Sequence, residues 1–144
     1  MKGAMYHIEQ VGRACSPILS ADIYCRVMGT LIDSVFGVLL DYVMKAQDIS
    51  EPACRFINAL FGSTFKCVEV FPRGEIEAKV SCGLWYKFFA VCRLMNMSLA
   101  DISHALAEGF FRSVTAPELS ALVKATFADS DKRNKVLLAL SNSE

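Results

Sequence analysis

The chain has 144 residues, enough to bury a hydrophobic core. Its 15 basic and 15 acidic residues cancel and form no run of like charges, which argues against nucleic acid or anionic lipid as a partner. Hydrophobic residues make up 53% of the sequence, but the most apolar segment, residues 27–40, is short and contains Asp33. A membrane-spanning helix needs about 20 apolar residues, so we expect no direct membrane insertion and expect the surplus apolar surface to meet protein.

The cysteines are too dispersed for a metal site. All six lie at least ten residues apart, no Cys-x-x-Cys pair occurs, and no secretory signal peptide is recognisable: Cys15, Cys25, Cys54, Cys67, Cys82 and Cys92. We therefore expect reduced, buried thiols of a cytoplasmic protein, without disulfides. The glycines are equally dispersed and do not form a phosphate-binding loop. We expect no metal and no cofactor.

The first part of the chain gives two clear elements. Residues 1–15 open with a sequence typical of a cloning remnant and are expected to be a flexible leader, followed by a single helical domain over residues 16–144. The first predicted helix covers about residues 20–46 and is apolar around most of its circumference. Gly29 and Gly37 lie on its thin polar stripe, where they could admit a neighbouring backbone or simply face solvent.

The middle of the chain predicts two further helices and a connector. The second helix covers about residues 51–67, since Ser50 can cap it and proline is tolerated in its first turn. Residues 71–84 are expected to be a connector, with Glu75 and Glu77 in solvent. The third helix covers about residues 85–107, with Trp85 buried at its start.

The end of the third helix has its own signals. Ser98 and Asp101 have the spacing of a capping box, so they either restart a separate helix or lie within a continuous one. Gly109 favours the left-handed cap that ends a helix.

The last thirty residues predict a helical hairpin. Thr115 and Glu118 have the spacing of a capping box, and Pro117 suits the first turn, so a helix is expected over residues 116–127. Asp129-Ser-Asp131 interrupts the pattern before a helix over residues 131–140. The apolar positions of the first of these helices should face inward: Leu119, Leu122, Val123 and Phe127. The predicted fold is an all-α bundle of about five helices.

One pair of residues could carry chemistry. Asp101 and His104 lie three apart on a helix and could act as a base and its orienting partner. No further nucleophile or acid is placed beside them by the local sequence, and a catalytic site needs a converging set of groups. We therefore interpret them as an ordinary helix-surface pair and expect no enzyme.

The hairpin resembles the end of the zeste-white ten (Zw-ten) centromere/kinetochore proteins, members of the Dsl-type tether family. The matching residues are Glu118, Leu122, Val123, Lys124, Ala125, Phe127, Asp129, Ser130, Asp131 and Arg133. Upstream, residues 24–32, 48–50, 98–102 and 107–109 and Trp85 fit in the same order. The resemblance implies that the chain is the C-terminal helical domain of a larger protein.

The resemblance also implies a function. It implies a non-catalytic subunit of the Rough deal, Zwilch and Zw-ten kinetochore complex, which recruits dynein and supports the spindle checkpoint. It also implies a part in a tether for Golgi-to-endoplasmic-reticulum vesicles. The expected partner is a Rough deal-type subunit or its tether counterpart, with dynein and dynactin reached through the complex. The expected locations are the cytoplasm, the kinetochore and spindle in mitosis, and the periphery of the endoplasmic reticulum in interphase.

We expect the cationic flank of the hairpin, Lys124, Lys132 and Arg133, to contact the partner. If it does not, the stripe of Gly29 and Gly37 on the first helix is the next expected surface. Two other functions remain open at this point. They are a helical scaffold that forms homodimers and a small helical enzyme that uses Asp101 and His104.

Overall fold

The structure is a computed structural model that describes residues 2–142. In this range it contains eight α-helices and one 3-10 helix and no β-strand, which confirms the all-α class. The elements are α1 (Lys2–Cys15), α2 (Ala21–Met44), α3 (Glu51–Thr64), the 3-10 helix (Phe65–Val70), α4 (Glu75–Ser81), α5 (Trp85–Leu94), α6 (Leu99–Ala107), α7 (Ala116–Thr126) and α8 (Asp131–Ser141).

Within the described range the chain divides into two compact units. Unit 1 comprises the residues up to Leu39 together with Leu60–Tyr86, and unit 2 comprises Leu40–Ala59 together with the residues from Lys87 onward. Both units contain buried apolar side chains. The single domain expected over residues 16–144 stays a prediction.

Unit 1 begins with a helix where the sequence led us to expect a flexible leader. The α1 helix buries Ile8 and Gly12, and a Cβ at Gly12 would lie 3.0 Å from the hydroxyl oxygen of Tyr24. Met5 and Cys15, which are half-buried, complete a stripe at three- and four-residue spacing. This apolar stripe predicts a helix, but the expectation that the segment is a cloning remnant excluded it from the predicted fold.

The expected connector over residues 71–84 contains a second missed helix. The α4 helix follows Gly74, whose φ of 56° lies in the left-handed region that favours glycine. Its Ala78 is fully buried, and Glu77 accepts a hydrogen bond from the backbone nitrogen of Arg73 at 2.9 Å. Glu75 is exposed, as expected, but pairs with Lys79 at 2.7 Å. The helix has only seven residues, too few for its apolar spacing to stand out.

In unit 1, α2 and α4 meet through backbone. Gly29 lies against the carbonyl group of Ser81. Of the two alternatives, this glycine therefore admits a neighbouring backbone and does not face solvent. One turn further along, Asp33 accepts hydrogen bonds from the backbone nitrogens of Gly83 at 2.7 Å and Leu84 at 3.0 Å. The carboxylate therefore fixes the loop that leads into α5.

By length and composition, α2 could cross a membrane. In unit 1, however, its Met28, Ile32 and Phe36 are at most 1% exposed, and Asp33 near its middle is bonded to backbone amides. These three residues place one face of α2 in the core of unit 1, while Ile23 and Val38 on the same helix are 51% and 70% exposed.

Trp85 is 3% exposed, which confirms that it is buried at the start of a helix. Its ring centroid lies 5.2 Å from that of Phe65 and 6.2 Å from that of Phe36. These separations are those of favourable tilted and edge-on aromatic pairs. The three rings form the aromatic centre of unit 1.

The predicted helix over residues 85–107 is two helices, so of the two alternatives at Ser98 the structure shows the separate helix. Ser98 is the N-cap of α6 and forms a complete capping box with Asp101. At the end of α5, the side-chain nitrogen of Asn96 donates to the carbonyl oxygen of Cys92 at 3.2 Å and to the side chain of Asn58 at 2.9 Å. The side chain of Asn96 therefore satisfies the Cys92 carbonyl at the end of α5, while backbone nitrogens bond the carbonyl oxygens of Arg93 and Leu94. The end of α6 is as predicted, with Gly109 at a φ of 72°.

Candidate protein-binding surface

The terminal hairpin of unit 2 begins where the sequence predicted. The hydroxyl of Thr115 accepts from the backbone nitrogen of Glu118 at 3.4 Å, and the Glu118 carboxylate accepts from the backbone nitrogen of Thr115 at 3.0 Å. Pro117 lies in the first turn of α7. The capping box satisfies amides that have no partner within the helix.

The Glu118 carboxylate has a second role. Its Oε1 lies 2.6 Å from the Nζ of Lys87, while its Oε2 serves the cap. Burial by itself raises the pKa of Glu118, but the hydrogen bonds from Lys87 and Thr115 outweigh it, so the pKa lies below its ordinary value. The group therefore stays charged at neutral pH and joins the start of α7 to α5.

The apolar side of the hairpin faces inward. Leu119, Leu122 and Val123 of α7 are at most 4% exposed, and Val136 and Leu140 of α8 are 2% exposed. Phe127, also expected to face inward, is half-buried and caps the C-terminal end of α7. These residues belong to the core of unit 2, so their substitution would report on folding and not on binding.

Arg133 is the first of the three expected contact residues, and its side chain is bonded to other residues of the hairpin. Its side chain is 17% exposed, its Nη2 lies 2.8 Å from Asp129, and its Nη1 donates to the carbonyl oxygen of Phe127 at 3.0 Å. The guanidinium therefore holds the turn between α7 and α8, satisfying a carbonyl at a helix end. A role for Arg133 in partner binding stays a prediction.

Lys124 and Lys132, the other two, have exposed side chains on α7 and α8. Lys135 is also exposed, and Leu138 is an apolar side chain with 62% of its surface exposed. We call Lys124, Lys132, Lys135 and Leu138 the exposed hairpin face. Leu138 could not be recognised as exposed from the sequence, because the spacing of the apolar residues in α8 does not separate it from its buried neighbours.

Unit 2 exposes aromatic side chains outside the hairpin, and the two most exposed are Tyr42 and Phe56. Tyr42 and Phe56 are 74% and 68% exposed. The fallback surface on Gly29 and Gly37 is less suitable, since Gly29 in unit 1 is covered by Ser81 and cannot reach a partner.

Asp101 and His104 are engaged separately. The Asp101 carboxylate accepts from the hydroxyl of Ser98 at 2.7 Å and from its backbone nitrogen at 3.1 Å, while the Nε2 of His104 lies 3.3 Å from Glu108. The bonds from Ser98 lower the pKa of Asp101. The Asp101 carboxylate therefore serves as the cap of α6, and the nearby His104 lowers its pKa further.

The six thiols are free and mostly buried. Burial raises the pKa of both Cys67 and Cys82 to about 12. Such thiols are protonated at neutral pH and are poor nucleophiles. Among the described residues, no group of three or more His, Cys, Asp or Glu side chains could hold a metal ion.

The chain is similar over most of its length to one family. The family model of the ZW10 C-terminal helical domain matches residues 1–140. The chain is 23% identical to the centromere/kinetochore protein zw10 homologs of Rattus norvegicus and Mus musculus, over 95% of this chain and 19% of each relative. The homolog of Caenorhabditis elegans is also 23% identical, over 97% of this chain and 19% of the relative. The chain thus spans about a fifth of the length of these curated relatives. No solved structure is significantly similar.

Proposed function

Because the chain belongs to the ZW10 C-terminal helical domain family, we propose that it is a non-catalytic protein-interaction domain of a kinetochore protein. The names of its relatives, centromere/kinetochore proteins, support this role, and the family match over residues 1–140 is the observation that carries it. The domain would act within a longer protein, as it does in relatives five times its length.

The finer proposal names the assemblies. The domain would dock on a Rough deal-type subunit in a complex with Zwilch, which supports the spindle checkpoint and brings dynein and dynactin to the kinetochore in mitosis. In interphase it would dock on the tether counterpart of that subunit, at the periphery of the endoplasmic reticulum, in Golgi-to-endoplasmic-reticulum transport. These roles rest on the resemblance of the hairpin sequence to Zw-ten proteins.

The exposed hairpin face is the surface we propose for docking. Lys124 and Lys132 are exposed, and Leu138 adds an apolar side chain to α8. Exposed cations at the rim of an interface speed association and make it sensitive to salt. An acidic partner surface with an apolar centre fits this chemistry.

The test is a double charge reversal, Lys124→Glu with Lys132→Glu, assayed by capture of purified Rough deal-type subunit at low and high salt. Arg133 is left in place because its loss would disturb the hairpin. We expect slower association and a roughly tenfold weaker capture at low salt, with the melting temperature nearly unchanged. The matched control is Arg26→Glu with Lys66→Glu, which reverses two exposed cations of unit 1. Equal capture by the hairpin variant and the wild type would contradict the proposed surface.

A scaffold that forms homodimers is the second candidate, and the exposed aromatic rings of Tyr42 and Phe56 favour it. Sedimentation equilibrium of the domain alone distinguishes the two. A dimer that dissociates in Tyr42→Ser or Phe56→Ser would support the scaffold, and a monomer at all concentrations would eliminate it.

A further inference from the structure

The turn between α1 and α2 in unit 1 contains the dipeptide Ser16-Pro17. Both residues are exposed. We propose that Ser16 is a phosphorylation site for a proline-directed serine/threonine kinase and that the phosphate loosens the packing of α1.

The sequence singles out this serine. The chain has four prolines, and only Pro17 follows a serine or threonine. Proline lacks a backbone N–H, so a kinase with an apolar pocket beside the acceptor can bury it without leaving a donor unpaired. Ser16 is therefore the acceptor that a kinase of this class would select.

The reaction is a phosphoryl transfer from Mg²⁺-bound ATP, which the kinase supplies. The Oγ of Ser16 forms a bond to the γ-phosphorus as the bond from that phosphorus to the β–γ bridging oxygen breaks. The kinase's base takes the hydroxyl proton, and ADP leaves. The product carries a charge of about −1.5 to −2 at Ser16 at neutral pH.

The surroundings of Ser16 disfavour that charge. Ser16 directly follows α1, at the negative end of the helix dipole. It lines a groove of about 580 Å³ with two carboxylates, Glu9 and Glu69, and one guanidinium, Arg13. Arg13 can balance only part of a phosphate that also meets Glu9 and Glu69. Net repulsion at a helix C-terminus destabilises the helix.

The same groove is where α1 contacts the 3-10 helix of unit 1. Beside it, the hydroxyl of Tyr24 donates to the carbonyl oxygen of Val70 at 2.8 Å. Repulsion between phosphoserine 16 and Glu69, on the 3-10 helix, therefore acts on the contact that holds α1 in place.

Local opening and phosphorylation favour each other. The turn is closed by backbone hydrogen bonds from Ser16 to Gly12 and from Leu19 to Cys15, each 2.9 Å long. A kinase that binds its substrate extended must act on the open turn, and a phosphate that disfavours the closed turn shifts the population toward the open one.

The experiment incubates the folded protein with a purified cyclin-dependent kinase and Mg²⁺-ATP, and maps phosphate by tandem mass spectrometry. We expect one phosphate, on Ser16. Ser16→Ala should abolish the incorporation, and Pro17→Ala should reduce it at least tenfold although the acceptor is present. Ser20→Ala, which changes a nearby exposed serine not followed by proline, should leave it unchanged. A synthetic peptide of residues 11–22 is the positive control for the kinase. Modification of the peptide but not of the folded protein would overturn the site.

Hydrogen exchange tests the second half of the proposal. In the phosphorylated protein, the amides of α1 should exchange at least fivefold faster than in the unmodified protein, while those of α7 should not change. Replacing Glu9 and Glu69 together by Gln should reduce this acceleration, since the repelling carboxylates are gone. Unchanged exchange in α1 after complete phosphorylation would contradict the loosening.

Discussion

Gly29 and Ser81 touch through their backbones in unit 1. A Cβ built on Gly29 would overlap the carbonyl oxygen of Ser81 and lie 2.7 Å from its carbonyl carbon. Only glycine permits this approach, so α4 can pack on α2 because position 29 has no side chain. Gly37, two turns further along α2, has open space apart from Leu84 at 3.7 Å.

The two glycines predict opposite effects of the same substitution. Alanine favours a helix over glycine by about 1 kcal/mol. At Gly29 this gain is outweighed by overlap with the backbone, which cannot rotate away, so Gly29→Ala should destabilise the protein by about 1–3 kcal/mol. At Gly37 the contact is ordinary, so Gly37→Ala should stabilise it by up to about 1 kcal/mol. Urea unfolding of both variants measures the difference. Two variants that change stability in the same direction would contradict the close approach.

Arg133→Ala should destabilise unit 2 by about 1–3 kcal/mol, because the carbonyl oxygen of Phe127 and the Asp129 carboxylate lose their donor. Arg133→Lys should recover only part of this, since an ammonium group cannot present two directed donors in one plane. The control, Lys132→Ala, removes the neighbouring exposed cation, and its free energy of unfolding should stay within about 0.5 kcal/mol of the wild-type value. Thermal unfolding of the three variants is the measurement, and equal losses at positions 132 and 133 would refute the role given to Arg133.

The cap of α7 predicts a difference between Thr115 and Pro117. Thr115→Ala should cost about 1 kcal/mol, since the backbone nitrogen of Glu118 loses its acceptor. Thr115→Ser keeps the hydroxyl and should cost less. Pro117→Ala should also cost much less, because proline has no donor to lose in the first turn. Denaturant midpoints for the three variants give the answer, and the cap is not important to stability if Thr115→Ala is as mild as Pro117→Ala.

The charge of Glu118 should make the stability of the protein depend on pH. Its pKa in the folded protein lies below the ordinary value of 4.5, so its charged form is favoured by folding. The resulting stability is present above the unfolded pKa and is lost as the pH falls through the folded pKa. Glu118→Gln should therefore be less stable than wild type at pH 7, and the difference should shrink below about pH 4. Unfolding curves of both proteins from pH 7 to pH 3 test this, and a difference that is constant with pH would mean that the charge of Glu118 does not contribute.

Local signals made much of unit 2 predictable. Thr115 with Glu118, the Asp129–Asp131 interruption and Gly109 each specify a helix end within a few residues, and the structure places those ends as predicted. Ser98 indicated a break after α5, but the local sequence did not distinguish a break from a continuous helix. The amide pair of Asn58 and Asn96, which stabilises the break, joins residues that are far apart in sequence.

Unit 1 was less predictable because its decisive contacts are distant in sequence. Gly29 and Ser81 are 52 positions apart, and no local pattern distinguishes a glycine that admits a backbone from one that faces water. The short α4 helix is stabilised by contacts with residues far away in the sequence, such as that of Ser81 with Gly29 of α2. At the candidate surface, the sequence pointed to Lys124, Lys132 and Arg133, but it could not show that Arg133 is turned toward Phe127.

Both compact units are discontinuous in sequence, and this affects how the domain can be dissected. Unit 1 takes residues from both sides of the segment 40–59, and unit 2 takes that segment together with everything from residue 87 onward. No cut at a single peptide bond isolates either unit. Removing the residues from 87 onward leaves the segment 40–59 without the rest of unit 2. Serial truncation would therefore remove core residues together with surface residues, so a loss of function would not locate a contact. Point substitutions that leave the melting temperature intact, or limited proteolysis protection in the complex, are the means to map contacts in this domain.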